Sequence, residues 1–409
     1  MGSNPTLSAT FPLMSRRILL ISRCPPYPLH FGDRLIIGNL FPQLAKRGYQ
    51  TDLLAFSDRP TDLADIPHYR EHFRSVMLLP EPPRTALDYA ARLRRMFPQR
   101  AEQAWSAPMW QAIEARLHQE RYDIVHLFGG VQVYEYRQLV QRLPNLIVPY
   151  ESYSLFLQRQ LAQTRAVRQK LVLWLRLSVA RRYEQRMFEG FGAVVVLTET
   201  DAAALRTLAP KLPLQVIPNG VDLARFVPKR SAESASLLFV GNYEYAPNVD
   251  AALWLAREIF PLIKARVPQA ELWIVGNAPP PELCACAAAD LHVTGHVPDL
   301  QPYYARAALF LAPLRFGAGI KNKVLEAMGM ALPVIATPLS ADGIAPSEGI
   351  RPATSAQEFV EQACALLADS ALRARLGAAN RAVIEARYTW SAVADAYESL
   401  YTQLSRSRH

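Results

Sequence analysis

The chain has 409 residues, enough for two or three domains with their own cores, and its 50% apolar and 20% charged content excludes a disordered polymer. A formal net charge of +9 favours acidic partners such as phosphates or anionic lipid headgroups; without a helix-turn-helix or zinc motif, nucleic acid is not expected. Cys24, Cys284, Cys286 and Cys364 are too scattered for a disulfide framework or a zinc site, no apolar run approaches the ~20 residues of a membrane span, and Met1–Leu13 lack a secretory pattern, so a cytoplasmic location is expected.

Residues 1–14 read as a disordered extension. Arg17–Ser22 is an apolar run of the kind found in central parallel strands. The loop after it, Cys24 to Arg34, is long for a strand-to-helix turn, and long ordered loops are often functional. A helix over Leu35–Arg47 follows, ending at Gly48, then strands at Gln50–Phe56 and Ser75–Leu79. Residues 84–118 read as helical, broken by Pro98 and Pro108. Further strands fall at Tyr122–Phe128, Asn145–Tyr150, Ala193–Leu197 and Leu214–Ile217. A polar linker over 227–236 precedes a second alternation, with strands at 237–240, 271–275, 292–294, 309–312 and 334–336. Ser355 and Glu358 fit a capping box, and helices over 372–387 and 391–404 finish the chain. The pattern is α/β: two Rossmann-like domains, 15–226 and 237–387, facing each other across a cleft, with 388–409 a helix packing back on the first.

The stretch Ala312 to Met328 organises this reading. A short apolar strand leads into a loop with Gly317 and Gly319, then Val324, Leu325, Ala327 and Met328 recur at helical spacing. Lys321 and Lys323 stand in the first helical turn with no acid before Glu326, against the helix dipole. The arrangement suits an anion held by backbone N–H groups and both ammonium groups; the alternative is that both lysines are solvated and Lys323 pairs with Glu326 at i,i+3.

With Phe239-Val240-Gly241, Pro247-Asn248-Val249-Asp250, Leu272-Trp273-Ile274-Val275-Gly276, Thr294-Gly295-His296-Val297, Pro313 through Thr337, and Pro218-Asn219-Gly220-Val221-Asp222 in this order, the chain resembles retaining glycosyltransferases of the GT-B fold, family 4 type. The resemblance implies that Glu326 holds donor ribose hydroxyls. It also implies that the loop Gly317, Ala318, Gly319, Ile320, Lys321 and Asn322 holds donor sugar and diphosphate, and that Gly241 and Val297 lie near the diphosphate and the base. Asn248 joins them from its matching segment, and Gly32, with Phe31, Asp33 and Arg34, marks the acceptor-side loop. Two departures follow. The first glutamate of the family's pair falls on Ala318, and the cations usual after the first strand of the second domain are absent, which leaves Arg315, Lys321 and Lys323 to meet the diphosphate charge.

The implied reaction is transfer of a hexose from a nucleotide-diphosphate sugar to a glycan or lipid-linked hydroxyl, with retention. No Asp-x-Asp pair occurs, so neither metal nor cofactor is expected. His126 ends a predicted strand, where it orients a substrate or is an ordinary strand-end histidine; Glu151 ends another, as acceptor base or polar anchor. Leu155–Tyr183 carries seven basic and no acidic residues around Trp174, which suits peripheral contact with an anionic membrane at its inner face, or a solvated surface helix. Alternatives are a non-catalytic nucleotide-sugar-binding module, which Ala318 makes thinkable, and an epimerase of the same architecture.

Overall fold

The computed structural model of the protein describes residues 16–29, 32–228 and 235–406. The extension read at 1–14, Phe31, and linker residues 229–234 lie outside the described residues. In the first half, β1 (Arg16–Ser22), β2 (Tyr49–Ser57), β3 (Ser75–Pro80), β4 (Ile124–Phe128), β5 (Asn145–Tyr150), β6 (Ala193–Val196) and β7 (Leu214–Val216) form a sheet in the order β3-β2-β1-β4-β5-β6-β7. In the second, β8 (Ser236–Val240), β9 (Glu271–Val275), β10 (Leu291–Val293), β11 (Leu309–Ala312), β12 (Val334–Ala336) and β13 (Ile350–Pro352) take the order β10-β9-β8-β11-β12-β13. All pairings within both sheets are parallel. The sequence explains this directly: Ile18, Leu19, Leu20 and Ile21 are all fully buried, as are Leu237, Leu238 and Phe239, because helices cover both faces.

The strand order reverses between β1 and β4 in one sheet and between β8 and β11 in the other, and ligands of such folds lie at those crevices. The Gly317–Gly319 loop leaves β11, so the stretch singled out by its chemistry sits at the switch point.

Local departures have local causes. Pro108 opens a helix (Ala107–Gln119) instead of breaking one, since a proline's missing N–H is not needed in the first turn. Ser355 caps its helix, but the Glu358 carboxylate accepts from Thr354, so the box is closed one residue early. β13 escapes the sequence because it is a three-residue, largely exposed edge strand with no apolar run. Residues 155–183 are not one helix: Tyr153–Gln163 and Val167–Met187 form a hairpin.

The chain crosses between domains twice, and the crossings lie side by side: Val221 N–H donates to the Tyr388 carbonyl at 2.7 Å. Helix Trp390–Arg406 then packs on the first domain, where Arg47 pairs with Asp395 and Glu398. His126 belongs to this interface and not to the cleft. It lies mid-strand in β4 with no solvent exposure, its Nδ1 2.9 Å from the Tyr401 hydroxyl and its ring stacked on Tyr397. Strand alternation turns it inward, and the C-terminal helix covers it.

Burial lowers the His126 pKa from 6.5 to about 3. The unfolded chain therefore binds a proton that the folded one refuses between those values, so this contribution to stability is complete above pH 6.5 and is lost as pH falls towards 3. Urea midpoints followed against pH should carry a slope of about 1.4 kcal/mol per pH unit from this residue. His126→Gln should lose that part of the acid slope while the rest of the profile stays.

Candidate functional site

Two positive-φ glycines shape the turn after β11, Gly317 at φ +135° and Gly319 at φ +67°. Residues 316–321 are buried in it. Lys321 precedes helix Asn322–Gly329 and turns its ammonium back onto the loop, donating to the Ala318 carbonyl at 2.8 Å and to that of Gly319. The helix buries Val324, Leu325, Ala327 and Met328. Helical spacing then puts Lys323 and Glu326 together on the remaining side.

Each of these two charges is met by a neutral group. The Lys323 ammonium donates to Asn248 Oδ1 and lies 4.7 Å from the centre of the Phe239 ring. Asn248 in turn donates to the Asn242 carbonyl at 2.7 Å and packs so closely on Gly241 that a Cβ there would stand 3.1 Å from it. Glu326 accepts from the Tyr304 hydroxyl at 2.9 Å. The i,i+3 pair between Lys323 and Glu326 is not formed among the described residues. Burial, with the Lys321 charge adding to it, lowers the Lys323 pKa to about 7. Burial raises that of Glu326 to about 7, with the Tyr304 hydrogen bond opposing. These are groups held short of electrostatic satisfaction, a pattern that clusters at functional sites.

Other sequence candidates fall elsewhere. Arg315 is exposed and its guanidinium is taken by Asp250, at 2.8 Å from Nε, so its charge is already neutralised. Lys321 organises the loop backbone instead of facing an open site. Asp33 pairs with Arg23 at 2.9 Å and not with Arg34, which is buried beneath the loop against Asp62, Asp58 and the Tyr27 carbonyl. Gly32 does reach the site: a Cβ there would lie 3.6 Å from Asn322 Nδ2. Val297 is half-buried in the loop after β10. Ile320 is buried under the turn. Glu151, after β5, lies across the cleft over Gly319.

Several residues at this junction carry no local sequence signal. Arg159, read as part of a basic face, donates to the Gly317 carbonyl at 2.9 Å and pairs with Asp342 at 2.9 Å, which also accepts from Thr200 at 2.6 Å. Phe156 stacks on Tyr245 with ring centres 5.9 Å apart. Asn219 donates to Asn322 Oδ1 at 2.7 Å. The glycine loop of one domain is thus gripped by the other. Among the described residues no group of three or more His, Cys, Asp or Glu is placed to hold a metal ion.

A family model for Glycosyltransferase Family 4 matches residues 36–225, and one for Glycosyl transferases group 1 matches residues 234–369. The chain belongs to the GT-B glycosyltransferases, one family domain on each side of the cleft. A GDP-mannose-dependent alpha-(1-6)-phosphatidylinositol monomannoside mannosyltransferase of Mycobacterium tuberculosis is 28% identical over 250 residues, 54% of this chain and 64% of that one. An uncharacterized 44.6 kDa protein in the cps region of Klebsiella pneumoniae is 28% identical over 130 residues, 30% of this chain and 34% of that one. The match thus spans about a third to two thirds of the length of these curated relatives. Sucrose-phosphate synthase from Thermosynechococcus elongatus shares the fold with a TM-score of 0.71 at 21% identity, covering 96% of this chain and 100% of that one. Anabaena HepE in complex with UDP and glucose does so with a TM-score of 0.63 at 15% identity, covering 95% and 100%.

An anion against Lys323 favours its charged form, and that form fades in the free protein as pH rises through about 7. Glu326 gains its negative charge over the same range and opposes the anion. Pyrophosphate affinity, measured by calorimetry between pH 6 and 9, should therefore fall with rising pH. Lys323→Arg should flatten the decline to the part due to Glu326.

Proposed function

We propose that this protein transfers a hexose from a nucleotide-diphosphate sugar to a hydroxyl of a glycan or lipid-linked acceptor, with retention of configuration and without a metal ion. The observation that carries the reading is the pair Lys323 and Glu326, side by side on the helix after the glycine loop and hydrogen-bonded among the described residues to the neutral Asn248 and Tyr304. In this reading the bond from the sugar's anomeric carbon to the diphosphate breaks as the acceptor oxygen bonds to that carbon, and the acceptor proton leaves with the departing group or the solvent. Negative charge grows on the diphosphate. Lys323 and the N–H groups at the start of helix Asn322–Gly329 oppose that charge in a site from which the opposite domain excludes water. Glu326 accepts hydrogen bonds from the ribose. Retention and metal independence come from the family resemblance and from the lack of an Asp-x-Asp pair. The named activity of the mycobacterial relative supports a lipid-linked acceptor.

The acceptor reading extends to a membrane. No helix among the described residues is long and apolar enough to cross one. On helix Val167–Met187, Leu173 and Leu177 are buried, while Val167, Leu171, Val172, Trp174 and Leu175 are exposed. Arg168, Lys170, Arg176, Arg181 and Arg182 flank that outward face. An apolar strip with Trp among arginines suits an anionic bilayer surface, and it would seat the enzyme on the inner face of a membrane.

Two measurements check these statements. A thermal-shift screen of UDP, GDP, ADP and their sugar conjugates should single out one nucleotide. Glu326→Ala and Lys323→Ala should each weaken its binding about 10- to 100-fold, the range for hydrogen bonds to charged groups. Stabilisation by none of them, or equal stabilisation of both variants, would rule out the donor site. In sedimentation with vesicles, the protein should bind anionic phosphatidylglycerol mixtures and not phosphatidylcholine, and Leu171→Gln/Trp174→Gln should reduce binding about tenfold or more. Equal binding by the variant would rule out this face.

A further inference from the structure

The loop that approaches the transferred sugar in this reading, Gly317 to Ile320, carries no hydrogen-bonding side chain, and Lys321 is turned into its carbonyls. The Arg159 guanidinium and the Tyr245 hydroxyl stand at its Gly317 end, and the carboxylate that faces it comes from the other domain. Oε2 of Glu151 lies 3.1 Å from where a Cβ on Gly319 would stand, so the carboxylate sits close over this glycine.

Three carboxylates gather at the start of helix Tyr153–Gln163, and their situations differ. Asp201 accepts from Ser152 N–H at 2.9 Å and from the Thr198 hydroxyl at 2.5 Å. Glu184 accepts from the Ser152 hydroxyl at 3.1 Å and from Ser154 N–H at 3.3 Å. These two consume the local donors. Among the described residues no donor reaches the Glu151 carboxylate, although it is half-buried. Lys321 and Arg23 act on it only through their fields, and burial with the Asp201 charge raises its pKa to about 7.

The backbone that delivers Glu151 is strained. Tyr150 has φ +71°, rare for a bulky residue, and the β5–β6 register shifts between Ile147 and Tyr150. The Tyr150 ring is held edge-on by Phe128, centres 4.6 Å apart, with the Arg23 guanidinium 5.9 Å from its centre. Of the three described non-glycine residues at positive φ, Tyr150 is the one bulky side chain, and it directly precedes this carboxylate, which points to a side chain aimed for use.

Resting on the donor-site reading above, we propose that Glu151 is the sugar-recognition residue of the donor site: reaching across the cleft over Gly319, its carboxylate hydrogen-bonds a hydroxyl of the transferred hexose, in place of the carboxylate that the loop itself lacks at Ala318. The donor site is then complete only when both domains contribute.

The test compares each free nucleotide with its sugar conjugate, UDP with UDP-glucose and GDP with GDP-mannose, on the full chain by calorimetry. Wild type is set against Glu151→Gln and Glu151→Ala. For the nucleotide that binds wild type, both variants should keep the free diphosphate's affinity within about twofold and bind the sugar conjugate tenfold or more weakly, the size expected for a hydrogen bond to a charged group. Acceptor-free hydrolysis of the conjugate should fall in parallel. Unchanged affinity for the conjugate with lost transfer would move Glu151 to the acceptor and overturn the assignment. An equal loss for the free diphosphate would make it a structural support of the loop and overturn it too. Wild type that binds no nucleotide would remove the donor site itself, a result separate from either.

Discussion

Much in this molecule depends on one constraint: charge taken out of water at the turn between β11 and helix Asn322–Gly329. Lys321, Lys323, Glu326 and Glu151 meet there, and among the described residues none of them is closed into an ion pair. Burying a charge is costly unless hydrogen bonds or an opposite charge compensate it. Lys321 is compensated by two loop carbonyls, which fixes the loop's shape. Among the described residues Lys323 has the neutral Asn248 and the Phe239 ring, and Glu326 the neutral Tyr304. The incomplete compensation of these two groups is what a charged, polyhydroxylated ligand would complete, and the raised and lowered pKa values record it.

The two domains share this burden. Arg159 closes on the Gly317 carbonyl, Asp342 fixes Arg159, and Thr200 fixes Asp342, so a chain of polar contacts runs from the first domain into the glycine loop. Helix Trp390–Arg406 also returns to the first domain and covers His126 with Tyr397 and Tyr401. The adjacent crossings near Val221 and Tyr388 link the domains as well. Arg159 and Glu151 of the first domain both face the glycine loop of the second, so the site's contents depend on how the two domains are held together.

Local chemistry in the chain was enough for the strands, for the alternation that makes two parallel sheets, for the loop at Gly317–Gly319, and for the helix that carries Lys323 and Glu326. Apolar runs, glycine punctuation and helical spacing act over a few residues, and each of these features is local. The tertiary structure alone decided which charges are available. Arg315 meets Asp250, 65 positions away; Arg34 meets Asp62; Tyr304 meets Glu326; and Arg159 leaves its basic helix for Gly317. His126 shows the same limit, because its neighbour Tyr401 stands 275 residues further on. A side chain's charge and type are written in the sequence, but its burial and its partner are properties of packing between distant segments, and those decide whether it acts on a ligand or holds the fold.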